Sequence, residues 1–165
     1  MKTIQLHFVF LFLALTCSCI AQAQGATTTH ETAAYSITYP AKSELRTYKN
    51  EEKDLFKSLF SLYDFGSNAI ADFSGISLSK LDCSGIGIKA VIEVTERGKT
   101  VTRSWNEHTQ SAFDELIYED DGYTFVKHLY IEKENLYQLT GSIKTDMFPA
   151  HYKDMQKIMA SFFLK

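Results

Sequence analysis

Cys83, in Leu81-Asp82-Cys83-Ser84-Gly85, is the residue best suited by type to nucleophilic chemistry. A thiol attacks as its thiolate, so it needs a nearby base and a lowered pKa. His108, His128 and His151 are available as bases, and no spacing ties any of them to Cys83. Free cysteine is among the most buried residue types, so the preferred reading is a small core residue at a strand end. The same histidines, with Glu107, Asp120 and Asp121, are metal-ligand types without ligand spacing: H-x-x-x-H, H-E-x-x-H and C-x-x-C are all missing. Glu119-Asp120-Asp121-Gly122 lacks the order and distal Glu of a calcium loop, which leaves a charged turn. Ser79, Ser84 and Ser104 have no G-x-S-x-G around them. Gly85-x-Gly87 lacks a third glycine and, on this reading, a following helix to cradle a phosphate. The sequence therefore assigns no catalytic residue, no metal ligand and no cofactor.

The aromatic residues offer binding rather than catalysis. Tyr123–Ile131 carries large residues on both faces, with Phe125, Leu129 and Ile131 on one and Val126 and Tyr130 on the other. A strand apolar on both sides is usually covered on both sides, so core is again the preferred reading. If the aromatic residues form a surface, the residues of that patch are Trp105, Tyr123, Tyr130 and Tyr137, and its partner is a protein or an envelope component.

Any such site sits behind an export signal. Lys2 gives a positive start, Phe8 to Leu15 an unbroken apolar run, and Ala21-Gln22-Ala23 an A-x-A cleavage pattern. The apolar run is well short of the ~20 residues that cross a bilayer. The expected organisation is a signal peptide over 1–23, a flexible lead-in over 24–33 and one α+β domain over 34–165. No transmembrane helix is expected after cleavage, and the location is periplasmic or secreted. A lipid anchor on Cys17 or Cys19 is the minority alternative, because neither cysteine has both Leu three residues before it and a small residue just before it. Loss of Cys17 and Cys19 with the leader leaves Cys83 alone, so the domain has no internal disulfide and is held by burial. A net charge of −3 with no Lys/Arg run gives no electrostatic footprint for nucleic acid or anionic lipid.

The elements follow from periodicity. Tyr35, Ile37 and Tyr39 alternate with small polar residues, which predicts a strand ended by Pro40 and the onset of order. A helical turn near Asn50–Asp54 leads to a strand over Lys57–Asp64, a turn at Gly66-Ser67-Asn68 and a strand over Ile76–Leu81. Ile86, Ile88, Ala90, Ile92 and Val94 alternate, predicting a strand that turns at Glu96-Arg97-Gly98-Lys99 into Val101, Arg103 and Trp105. No long helix separates the strands in the middle of the chain. Between Asn106 and Gly122, Ala112, Phe113, Leu116 and Ile117 suggest a short helix. Tyr123–Ile131 and Leu136–Ile143 form a second hairpin. The chain closes on a helix N-capped by Asp146, with Pro149 in its first turn and the stripe Phe148, Tyr152, Met155, Met159, Phe162. The sum is an α+β fold, an antiparallel sheet with a C-terminal helix packed on one face.

The two ends of this domain, Tyr35-Ser36-Ile37-Thr38-Tyr39-Pro40 and Leu136–Ile143 followed by Phe148, Tyr152, Met155, Ile158 and Ser161-Phe162, resemble the Mog1/PsbP-like superfamily, which includes exported bacterial proteins of the DcrB type. The resemblance implies an α/β/α sandwich around an antiparallel sheet, in proteins that serve accessory, assembly or binding roles without a shared enzyme activity. The functional expectation is a non-enzymatic exported accessory or binding domain. An extracytoplasmic hydrolase or thiol enzyme using Cys83 with a histidine is the second reading, and a lipid-anchored envelope protein the third.

Overall fold

A computed structural model describes residues 25–63, 74–106 and 111–165. The leader, the turn at 66–68 and the pair Glu107 and His108 lie outside the described residues.

The frame is a meander of three ten-residue strands, β7 (Ser111–Asp120), β8 (Tyr123–Glu132) and β9 (Asn135–Lys144). Asp121 and Gly122 both have positive φ, which is what a two-residue link between right-twisted strands requires. The expected hairpin Tyr123–Ile131/Leu136–Ile143 is present, joined through Lys133 and Glu134. The region expected to hold a short helix is instead β7: Phe113 and Leu116 are both buried, in separate clusters on opposite faces of the sheet. Two-sided burial had produced spacing that mimics a helix.

β3 (Glu44–Thr47), β4 (Phe56–Tyr63), β5 (Ser74–Asp82) and β6 (Thr100–Asn106) complete an antiparallel sheet of seven strands in the order β3-β4-β5-β9-β8-β7-β6. The segment before β4 makes one turn, closed by Asp54 N–H donating to the Glu51 carbonyl at 3.2 Å.

One face of this sheet presents Phe60, Leu62, Ile76, Leu78, Val126, Leu139 and Ile143 to the C-terminal helix α2 (Phe148–Ala160). Met155 and Met159 are fully buried there, as is Phe162 just beyond the helix. Asp146 lies in a 3-10 turn over Thr145–Met147, and Met147 occupies the N-cap with no side-chain cap. The turn that carries the chain out of β9 has taken the position expected for the cap.

A second sheet, β1 (Thr27–Glu31), β2 (Tyr35–Pro40) and β10 (Phe163–Leu164), flanks α2 on the same face. Tyr35 and Ile37 are buried against Phe60 and Phe162. The expected flexible lead-in over 24–33 thus contains a strand: β1 pairs with β2 from Thr27 opposite Pro40 to Glu31 opposite Ser36. Its Thr-rich, exposed composition hid it, because β1 is held by backbone bonds rather than by burial.

The opposite face carries helix α1 (Ile88–Glu96), where a strand was expected. Ile88, Val91 and Ile92, spaced by three and one, pack on Cys83, Leu116, Leu129 and Leu136. Ile86 and Val94, which the strand pattern required to be buried, are 60% and 63% exposed. β6 accordingly pairs with β7 and not with residues 86–94. A helix does follow Gly87, which is its N-cap at φ 85°. With helices on both faces, the molecule has the layers of an α/β/α sandwich.

Candidate functional site: the open half of the sheet

The cross-strand register assembles a surface on the α1 face of the sheet. One row runs Arg46, Ser61, Ser77, Thr140, Lys127, Leu116, Val101 across seven strands. The next runs Glu44, Tyr63, Gly75, Ser142, Phe125, Tyr118. On the other side lie Ser58, Ser79, Gln138, Leu129, Asp114 and Arg103. Leu116 of β7 and Leu129 of β8 in these rows meet α1; Ser61, Ser77, Ser79, Thr140 and Ser142 form a hydroxyl-lined floor and all retain solvent exposure.

Two aromatic rims bound this floor. On one side Arg46 stands 5.2 Å over the Tyr63 ring, and the Tyr48 hydroxyl donates to Ser61 Oγ at 3.1 Å. On the other, Tyr118 and Phe125 stack with centroids 5.2 Å apart, and Tyr123 tilts onto Phe125 at 6.4 Å. Lys99 Nζ lies 4.9 Å over the Tyr118 ring and donates to the Thr95 carbonyl at the end of α1. Lys127 donates to Gln138 Oε1 at 3.3 Å. Burial, and secondarily the charge of Lys99, pushes its ammonium below the ordinary lysine range. Partly exposed aromatic residues beside hydroxyl and amide donors suit a polar ligand that also has apolar faces.

The residues singled out by sequence fall in different places. Tyr123 is half-buried in the rim. Trp105 is 53% exposed on β6, toward the other end of the same face. Tyr130 and Tyr137 are corrected: at 2% and 3% exposure they belong to the core under α2 and line no surface. They sit opposite one another on β8 and β9, so one face decision buries both.

Cys83 is buried in the α1-face cluster, its thiol donating to the Leu81 carbonyl at 3.7 Å. Burial raises its pKa, which suppresses the thiolate. His128 is buried on the α2 face, donating from Nε2 to Glu115 Oε2 at 2.9 Å, with its ring tilted against Phe113 at a centroid distance of 4.3 Å. His151 is buried in α2. The sheet therefore stands between Cys83 and both of these histidines. Among the described residues, no group of three or more His, Cys, Asp and Glu side chains is arranged to hold a metal ion, and no helix is long and apolar enough to cross a membrane.

Sequence reasoning missed Lys99, Lys127, Tyr118 and the hydroxyl floor. The signal was present as alternating Ser77/Ser79 and Thr140/Ser142, but only register joins those strands side by side.

No family model and no curated protein matches the chain. Solved structures do. The solution structure of the cyanobacterial PsbP protein CyanoP from Synechocystis matches with a TM-score of 0.58 at 8% identity, covering 87% of this chain and 95% of that one. A protein from Bacteroides thetaiotaomicron matches at 0.48 and 13% identity, over 86% of this chain and 49% of that one. LpqN, involved in cell envelope biogenesis of Mycobacterium tuberculosis, matches at 0.46 and 12% identity, over 87% of each. The fold is therefore PsbP/Mog1-like, as the two ends of the domain had suggested.

Proposed function

We propose that this PsbP-like domain is an exported, non-enzymatic accessory or binding module that engages its partner through the hydroxyl-lined floor and its aromatic rims. The observation that carries the reading is the floor itself, a multi-strand polar surface left open on a face whose other half α1 covers. The raised thiol pKa of Cys83, and its separation by the sheet from His128 and His151, favour binding over thiol chemistry. The leader favours a periplasmic or secreted address. The partner expected there is a protein or another envelope component.

A photo-crosslinking amino acid at Ser77 or Thr140, introduced in the chain with its leader and expressed in its own envelope, tests this. Adducts should form from those two positions and not from Lys153, an exposed residue of α2. Equal labelling from all three positions, or none from the floor, would reject the surface. Intact mass of the same recovered protein should place its first residue at Gln24; a diacylglyceryl cysteine at the N-terminus would instead make it lipid-anchored.

A further inference from the structure

The rim beside α1 contains a lysine that makes no salt bridge among the described residues. Lys127 projects from the centre of the sheet, with Thr140 and Leu116 as its direct cross-strand neighbours. It is half-buried, and its hydrogen-bond acceptor is the neutral Gln138 amide. The charge that acts on it is another ammonium, Lys99. Gly98, at φ 73°, makes the turn that places Lys99, and the Lys99 N–H donates to the Glu96 carbonyl at 2.9 Å.

Two of the four carboxylates of β7 are paired with other side chains. Asp114 pairs with Arg103, and Glu115 pairs with His128 on the far face. Glu119 lies opposite the buried Thr124, again on the far face, and the exposed Asp120 stands at the end of β7 opposite Tyr123. A partly desolvated cation without an opposite charge is unfavourable, and an ammonium retains donors that a neutral amide does not use up.

We propose that Lys127 and Lys99, with Gln138 and Thr140 beside them, form a binding site for an oxyanion, the carboxylate or phosphate group of the ligand. The proposal rests on the open face as the working surface and adds the chemistry of what that face takes. Lys127 supplies charge-assisted hydrogen bonds, Lys99 supplies field from over the Tyr118 ring, and the hydroxyls of the floor extend the contact to the neutral part of the ligand.

The test is an amide NMR titration of the exported domain with sodium acetate and, separately, with inorganic phosphate, at ionic strength matched with chloride. The expected result is saturable shifts at Lys127, Gln138, Thr140 and Tyr118 from at least one of the two anions, and the better binder names the class of group. Lys127→Met should weaken that response about tenfold, the scale of one charge-assisted bond, while Lys127→Arg and the α2 control Lys153→Met keep it. Folding of each variant is checked in the same spectra. No saturable response to either anion, or one that survives Lys127→Met unchanged, overturns the proposal. Crosslinking from Ser77 and Thr140 is read separately. Adducts without an anion response remove this inference alone, and an anion response without adducts removes the partner surface alone.

Discussion

Glu115 and His128 make the most consequential polar contact at the scale of single residues. The imidazole donates to the carboxylate at 2.9 Å inside the α2 face, with the Tyr130 hydroxyl 3.5 Å from its other nitrogen. The hydrogen bond from His128 holds the Glu115 carboxyl below its ordinary value of 4.5, against the opposing effect of burial. A carboxylate whose folded pKa is depressed stabilises the fold at pH above its unfolded value, and that stability is lost as pH falls through the folded value. Acid should therefore destabilise the wild type more steeply below about pH 4.5 than it does Glu115→Gln, with the two converging at the low end. At neutral pH the variant should be less stable by about 1–3 kcal/mol, the usual result of weakening a buried polar pair. Urea unfolding followed by tryptophan fluorescence between pH 3 and 7 measures both. Parallel curves for the two proteins across that range would show that Glu115 does not titrate differently on folding. Little of this pair was legible in the sequence, because Glu115 and His128 are thirteen residues apart and only the β7–β8 register sets them opposite one another.

At the scale of elements, α2 rests on a glycine. A Cβ built on Gly141 would overlap Met155 Sδ and crowd Met159 Sδ, whereas one on Gly75 meets nothing closer than 3.7 Å. Gly141→Ala should destabilise the domain by about 1–3 kcal/mol through overpacking, while Gly75→Ala stays within about 0.5 kcal/mol of the wild type. Equal thermal midpoints for the two variants would mean that α2 adjusts without cost. The methionine stripe of α2 was readable from its spacing, since a long 3.6-residue period has few alternative interpretations. α1 was not. Its residues alternate as well as they step by three and four, and the deciding fact is which of them meet Leu116, Leu129 and Leu136. Short apolar runs are ambiguous in this way until a partner surface exists.

For the molecule as a whole, β1 closes the second sheet and the C-terminus ties to it: Lys165 donates to Glu31 at 2.8 Å, and its backbone N–H donates to the Ala34 carbonyl. Hydrogen exchange should accordingly show slowed amides within Thr27–Glu31, and deletion of residues 25–33 should lower the melting temperature. Free exchange throughout that strand would return it to a loose lead-in. What the amino-acid sequence determined by itself was what local chemistry dictates: the pattern of an export leader, a long β8–β9 hairpin, a closing amphipathic helix and the ends of a PsbP-like domain. The tertiary structure alone decided the rest. It chose α1 over a strand, put Cys83 and His128 on opposite sides of a sheet, buried Tyr130 and Tyr137, and brought five hydroxyls and two lysines onto one open surface. Each of those outcomes depends on strand register, and register is a relation between segments far apart in the chain, set by which faces find a core to bury against.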